Sequence, residues 1–223
     1  PQSILDSYGS SALPALVKAA ESRCIGVHFG VYDYTASANI TAEYQSMTHP
    51  VCDFARHMMQ VALGGTGIRL SDGATNIMPV GPHRPTEENP LTESQMEENQ
   101  QVVYHSWRLN FNNIQHSLKQ GYYQGWDLHP SQIPLRYAAV YSFFLESLAS
   151  TSLRLKSFMG KAAQATLVGD VFDDAATGQA LLNYFLRGIS CGAITEKEAE
   201  ATGLTLKEIQ KRSFKKILQG RQS

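Results

Sequence analysis

The sequence predicts an α/β fold built around a parallel sheet. Three strand-like runs alternate with helical patterns in the first two thirds of the chain, and this alternation is typical of βαβ units. The first run, residues 24–31, is almost continuously apolar, as expected for a strand that is covered on both faces. Three strands are few for a stable parallel domain. We therefore expect them to be the last part of a barrel or of a doubly wound sheet.

Local signals mark the helices and strands in order. The predicted elements are a helix at 12–21, a strand at 24–31, a helix at 50–63, a strand at 67–71, a helix at 92–119, a strand at 125–128 and a helix after 130. Pro50 suits the first position of its helix because it lacks an N–H that the helix would leave unpaired. Capping boxes mark helix starts at Thr92/Gln95, Thr195/Glu198 and Thr205/Glu208.

A helical tail follows the predicted sheet. We expect a division into residues 1–150, which hold the sheet, and residues 151–223, which are helical. Apolar side chains at helical spacing over 133–190 exceed what one covering helix needs, so another subunit is the simplest place to bury them. The sequence therefore predicts a homo-oligomer whose tail is swapped onto a neighbouring subunit.

Composition excludes several classes of protein. The 223 residues include 19 Lys and Arg, 20 Asp and Glu and 43% hydrophobic residues, giving a net charge of −1. The chain can bury a core, and it has no basic run that would bind nucleic acid. No apolar run approaches the roughly 20 residues of a membrane span. These features favour neither a nucleic acid nor a membrane as a partner.

The cysteines bear on the cellular location of the protein, and the first residue bears on the extent of the fold. Cys24, Cys52 and Cys191 are far apart and form no CxxC motif, which favours reduced thiols and a cytoplasmic location. The chain begins at Pro1 rather than at methionine and soon enters a helical pattern. We expect that an N-terminal part of the fold precedes it.

Three segments that follow the predicted strands contain groups able to do chemistry. They are "FGVYDYTAS" with Asp33, "LSDGATN" with Asp72 and Asn76, and "WDLHPSQ" with Asp127, His129 and Gln132. The carboxyl ends of parallel strands meet at one edge, where active sites of α/β folds lie. Each segment also has a structural interpretation, as a helix cap, an Asp-Gly turn or a helix start. The sequence has no HExxH, GxGxxG, P-loop or GxSxG motif.

The same segments resemble a known family. "GVHFGVYDYTASANI" is similar to a strand that ends in glycine and is followed by a metal-binding Asp, and "GYYQGWDLHPSQI" is similar to the motif "GFxGKxxIHPxQI". "VGDVFDDAATGQALL" resembles a tail motif "GxMxD", and "GIRLSDGATNIMPVG" occupies the place of a seventh strand. Over about residues 1–190 the chain resembles the citrate lyase beta-subunit-like group of the HpcH/HpaI aldolase superfamily. This implies the C-terminal part of a (β/α)8 TIM barrel with a helical C-terminal extension.

The resemblance implies a metal site at the barrel mouth. Asp33 would bind Mg²⁺, or Mn²⁺, together with a Glu from the preceding strand. Gly30, Val31 and Tyr32 would contact the substrate through their backbone, and His129 would lie in the last substrate-binding loop. In the family, the partner Glu, a substrate-gripping Arg and the aldolase base lie upstream of the position of Pro1.

The resemblance also implies an activity and a shared site. Asp173 matches the aspartate of the tail motif, which reaches a neighbouring subunit's site as a catalytic group. The activity would be Mg²⁺-dependent C–C bond cleavage or formation on a 2-oxo acid or an acyl thioester, with a CoA thioester as one substrate class. Two alternatives are a phosphoenolpyruvate- or pyruvate-type enzyme of the same superfamily and a non-catalytic barrel subunit. Tyr34, where the family has Leu, and the insertion "MPVGPHRPTEENP" depart from the family pattern.

Overall fold

The computed structural model of the chain describes residues 1–168 and 175–222. It divides the chain into two compact units, Pro1–Ala139 and Val140–Ser223. Among the described residues, helices account for about 59% of the chain and strands for 4%. The protein therefore has a mostly helical α/β fold. In the described ranges, no helix is both long enough and apolar enough to cross a membrane.

The first unit contains a three-stranded parallel sheet and the helices that connect its strands. Its elements are α1 (Leu13–Ala19), β1 (Gly26–His28), α2 (Val31–Ser37), a 3₁₀ turn (Ala42–Tyr44), α3 (Pro50–Leu63), β2 (Arg69–Asp72), α4 (Glu93–Lys119), β3 (Gln124–Gly125), a 3₁₀ turn (Pro130–Gln132) and the start of α5 (Ile133–Leu145). The strand order is β1-β2-β3, with His28 paired to Ser71 and Asp72 to Gly125.

The prediction of a (β/α)8 TIM barrel is wrong. The described residues form one open sheet of three short strands rather than part of a closed barrel. The apolar run at 24–31 yields a strand of only three residues, because the chain enters α2 at Val31. Ile25, in the same run, is 70% exposed, so its apolar character does not mark a buried strand position. The parallel arrangement of the sheet is confirmed.

One face of the sheet carries the hydrophobic core of the first unit. Val27 and Leu70 are neighbours in the strand register, and both pack against a cluster that includes the buried side chains of Cys52, Met59 and Leu63 on α3. Side chains alternate between the two faces of a strand. The intervening residues of β1 and β2 therefore lie on the opposite face.

The second unit is helical. It holds the end of α5 and α6 (Leu148–Val168), α7 (Ala175–Ser190), α8 (Glu196–Ala199), a 3₁₀ turn (Glu200–Thr202), α9 (Leu206–Gln210) and α10 (Phe214–Gln222). The predicted capping boxes at the start of α8 and α9 are confirmed. A Cβ atom at Gly178 would lie 2.5 Å from the ring of Phe214 and 2.7 Å from that of Phe158, so only glycine permits this packing.

Candidate functional site

The three strands place their exits at one edge of the sheet. They run parallel, and the register aligns His28 with Ser71 and Asp72 with Gly125. The segments that follow β1, β2 and β3 therefore leave the sheet at the same edge. Asp33, Asp72 and Asp127 lie at these strand exits, and the exits carry the candidate site.

Asp33 has a free carboxylate at the exit of β1. It lies in the first turn of α2 and is exposed to solvent. Its side chain neither caps the helix nor forms an ion pair or hydrogen bond with any residue that the structure describes. The carboxylate points back over Gly30, where an added Cβ would lie 3.1 Å from Asp33 Oδ2. Gly30 thus keeps the space beside this carboxylate open.

Asp72, at the exit of β2, is fully engaged in the interior. Only 1% of the residue is exposed, and Arg56 Nε lies 3.0 Å from both of its carboxylate oxygens. Its Oδ1 also accepts a hydrogen bond from the backbone N–H of Gly73 at 2.8 Å, and its Oδ2 accepts one from Ser117 Oγ at 2.5 Å. This carboxylate has no capacity left for a ligand.

Asp127, at the exit of β3, is paired as well. Arg136 Nε lies 2.6 Å from Asp127 Oδ2, and Arg136 Nη2 lies 3.0 Å from Oδ1. Arg136 Nη2 also donates to the backbone carbonyl of Trp126 at 2.8 Å. The two-point geometry of a guanidinium and a carboxylate makes this a strong and directional pair. Asp127 therefore shapes its loop, and its charge is neutralised.

The "HPSQ" segment forms a structural cap. His129 Nδ1 accepts a hydrogen bond from the backbone N–H of Ser131 at 3.2 Å. Gln132 is 1% exposed; its Oε1 accepts from the N–H of Leu128 at 2.7 Å and of His129 at 3.1 Å. Its Nε2 donates to the carbonyl of Thr75 at 3.0 Å. Gln132 thus ties the loop after β3 to the loop after β2, and His129 helps to begin the 3₁₀ turn.

The remaining predicted site residues connect the first two exits. Val31 is 1% exposed, and an added Cβ at Gly73 would lie 2.6 Å from Val31 Cγ2, so glycine at 73 permits this approach. Tyr32 accepts a hydrogen bond at its hydroxyl from the backbone N–H of Asn76 at 3.2 Å. Burial raises the pKa of Tyr32 above its usual value. Asp173 lies outside the described residues.

His28, at the end of β1, is a candidate site residue that was not predicted from the sequence. His28 Nδ1 lies 3.1 Å from Ser71 Oγ, and the imidazole stacks on the indole of Trp126 with ring centres 3.8 Å apart and planes inclined by 13°. Burial lowers the pKa of His28, although the negative charge of Asp72 opposes this shift. The alternation along β1, which puts Val27 in the core, was the signal that places His28 on the other face.

Among the described aspartates at the strand exits, Asp33 has the one carboxylate that is available to a metal ion. The described residues contain no group of three or more His, Cys, Asp or Glu side chains arranged to hold a metal. Mg²⁺ does not require such a group, because it commonly binds one or two carboxylates and keeps water and substrate oxygens as its other ligands. The exposed Asp33 carboxylate meets this condition, whereas Asp72 and Asp127 are neutralised by arginines.

Comparison with known proteins identifies a family. No curated protein and no solved structure matches the chain. Residues 1–217 match the family described as Domain of unknown function (DUF6986), which covers nearly the whole chain. The chain therefore belongs to the DUF6986 family.

Proposed function

We propose that the chain is a Mg²⁺-dependent enzyme that breaks or forms a C–C bond beside a carboxylate or thioester group, with Asp33 as a metal ligand. One observation carries the proposal. Of the three aspartates that follow the strands, Asp33 is exposed and unpaired among the described residues, whereas Arg56 and Arg136 neutralise the other two. The resemblance to the citrate lyase-like group supports the same residue.

The proposed substrate is a 2-oxo acid or an acyl thioester. A bound Mg²⁺ ion supplies positive charge beside the substrate oxygens, where negative charge develops as the bond breaks. Gly30 leaves room beside Asp33 because any side chain there would crowd the carboxylate. The hydrogen bond between the Asn76 N–H and the Tyr32 hydroxyl holds the β1 and β2 exits together, which fixes the turn that carries Asp33.

Exchange of pyruvate protons tests the chemistry that this reaction class shares. Removal of a proton from the pyruvate methyl group leads to deuterium incorporation in D₂O, which NMR follows without knowledge of the natural substrate. With Mg²⁺ we expect the protein to raise the exchange rate above the protein-free rate. With EDTA the exchange rate should equal the protein-free rate. Asp33→Asn should reduce the rate by about 100-fold, the loss typical when one charge-stabilising group is removed.

Two results would overturn the proposal. One is the absence of Mg²⁺-dependent exchange with both pyruvate and a simple acyl thioester. The other is an Asp33→Asn variant that retains the full rate. Glu43→Gln is the matched control, because Glu43 is another exposed carboxylate in the same unit, on the 3₁₀ turn that follows α2. Its exchange rate should equal that of the unaltered chain.

A further inference from the structure

His28 and its neighbours form a polar and aromatic cluster on the face of the sheet opposite to the core. His28 and Ser71 are paired in the register of β1 and β2. Trp126, one residue beyond β3, stacks on the imidazole while remaining 56% exposed. Two strands and the residue that follows the third thus contribute to one cluster at the edge where the strand exits meet.

The contacts fix the imidazole ring and leave one of its nitrogens available. The stack with Trp126 sets the plane of the ring, and the hydrogen bond between Nδ1 and Ser71 Oγ sets its rotation. Nε2 of His28 has no hydrogen-bond partner among the described residues. An imidazole that is held at one nitrogen and free at the other is the usual arrangement of a histidine that acts through its second nitrogen.

We propose that His28 contacts the substrate, donating a hydrogen bond from Nε2 to an oxyanion of the ligand bound at this edge. In this arrangement the Ser71 hydroxyl donates to Nδ1, so that the neutral ring carries its proton on Nε2. The inference rests on the proposed function, because it names a second contact for the substrate of the Asp33 site. It assigns to His28 a role that the resemblance does not imply.

The charges around His28 are compatible with a neutral imidazole. Asp72, on the neighbouring strand, is paired with Arg56. Asp127, beside Trp126, is paired with Arg136. Neither carboxylate is an unpaired charge that would hold the ring protonated, and burial lowers the pKa of His28. Asp33, at the start of α2, is the unpaired carboxylate at this edge within the part of the chain that the structure describes, and bound Mg²⁺ would neutralise it.

The fluorescence of Trp126 provides a direct test. The chain has two tryptophans and ten tyrosines, so Trp107→Phe leaves Trp126 as the sole tryptophan, which is excited selectively at the long-wavelength edge of its absorption. Protonation of a stacked imidazole quenches an indole more strongly than the neutral ring does. A pH titration of this variant therefore reports the protonation of His28. We expect the midpoint to lie below that of an ordinary histidine. Saturating oxalate with Mg²⁺ should move it upward, because an anion stabilises the imidazolium.

Substitutions at His28 separate contact from structure. His28→Asn should abolish the pH-dependent step and weaken oxalate binding about tenfold, the loss expected for a hydrogen bond to a charged group. His28→Gln should bind more tightly than His28→Asn, because its longer amide places a donor near the position of Nε2. His105→Asn is the control, since His105 is an exposed histidine on α4. The Trp107→Phe variant loses the hydrogen bond that Trp107 donates to the carbonyl of Ser131. Imidazole NMR of the unaltered chain, which keeps this bond, therefore provides a second measurement of the His28 midpoint.

The outcomes distinguish this inference from the proposed function. If oxalate binds with Mg²⁺ but neither moves the His28 midpoint nor binds less tightly to His28→Asn, the inference is wrong and the metal site stands. If oxalate moves the midpoint equally without Mg²⁺ and in Asp33→Asn, the contact with His28 is upheld and the metal site is wrong. If oxalate does not bind under any of these conditions, both are wrong.

Discussion

Arg56 and Asp72 form a buried ion pair in which Arg56 Nε lies 3.0 Å from both carboxylate oxygens. The two residues are 0% and 1% exposed. Arg56 also donates from Nη1 to Asp53 Oδ1 at 2.8 Å and from Nη2 to the carbonyl of Met47 at 2.7 Å. The pair joins α3 to the end of β2, and it explains why the aspartate at the second strand exit is structural.

Arg56→Met should destabilise the chain by about 3–5 kcal/mol. The substitution keeps much of the side-chain volume but leaves the buried charge of Asp72 without a positive partner, and this is the usual cost of breaking a buried pair from one side. Urea unfolding followed by circular dichroism measures the loss. Arg108→Ala is the control: Arg108 is an exposed arginine on α4, and its removal should change stability by less than about 0.5 kcal/mol.

The double variant Arg56→Met/Asp72→Asn sharpens this prediction. Removing both charges should cost less than the sum of the two single substitutions, because neither partner is then left as a buried unpaired ion. Strict additivity, or a loss below about 1 kcal/mol in Arg56→Met, would contradict the assignment of this pair as a structural element.

Gln132→Leu should destabilise the chain by about 2–4 kcal/mol. The buried amide accepts hydrogen bonds from the backbone N–H groups of Leu128 and His129 and donates one to the carbonyl of Thr75. Each buried group left unpaired costs about 1–3 kcal/mol. Chemical denaturation measures the effect. Gln101→Leu, at an exposed position of α4, should have little effect. Equal stability of the two variants would show that Gln132 does not hold the β2 and β3 exits together.

The stability of the chain should depend on pH through Glu208 and Arg221. Arg221 Nε lies 2.6 Å from Glu208 Oε1 and lowers the pKa of Glu208 from 4.5 to about 2. A lowered carboxyl pKa stabilises the fold above the unfolded value, so this contribution is complete above pH 4.5 and is lost as the pH falls toward 2. Because Arg221 is exposed to solvent, the contribution should be about 1 kcal/mol.

Thermal melting of Glu208→Gln across this pH range measures the contribution. The variant should be less stable than the unaltered chain at pH 7, and the difference should shrink below pH 4.5. Glu200→Gln, at an exposed position in the same unit, should show no such change. A difference between Glu208→Gln and the unaltered chain that stays constant from pH 7 to pH 2.5 would exclude a role for this ion pair.

Cys52 should be the least reactive of the three thiols. It is 0% exposed, and burial raises its pKa to about 11 although the nearby charge of Arg56 opposes the shift. The thiolate is the reactive form, so iodoacetamide at pH 8 should modify Cys24 well before Cys52, as peptide mass spectrometry will show. Rapid labelling of Cys52 in the folded chain would contradict its placement in the core.

Much of the helical structure could be predicted because its signals are local. The helix at 50–63 is confirmed at both ends, since Pro50 supplies the start and an apolar stripe continues to Leu63. The capping box at Thr92 is confirmed as well. α2 was missed because Val31–Ser37 combines aromatic and β-branched residues and has no capping side chain. Long-range packing of Val31 beside Gly73 positions its start.

The candidate site was only partly predictable for the same reason. The sequence places Asp33 at the exit of the first strand, and the structure agrees. It cannot show that Asp72 pairs with Arg56, sixteen positions earlier, because that contact depends on how α3 packs against the sheet. His28 was missed because only the pairing of the strands brings Ser71 and Trp126 to its ring.

Titration with Mn²⁺ tests the central claim, that Asp33 holds a divalent metal, most directly. Isothermal calorimetry, supported by the electron paramagnetic resonance of free Mn²⁺, should detect binding to the unaltered chain that Mg²⁺ competes away. Asp33→Ala should abolish this binding, because the described residues offer no other unpaired carboxylate at the strand exits, while Glu43→Gln should bind as the unaltered chain does. Equal Mn²⁺ affinity in Asp33→Ala and the unaltered chain would contradict the account.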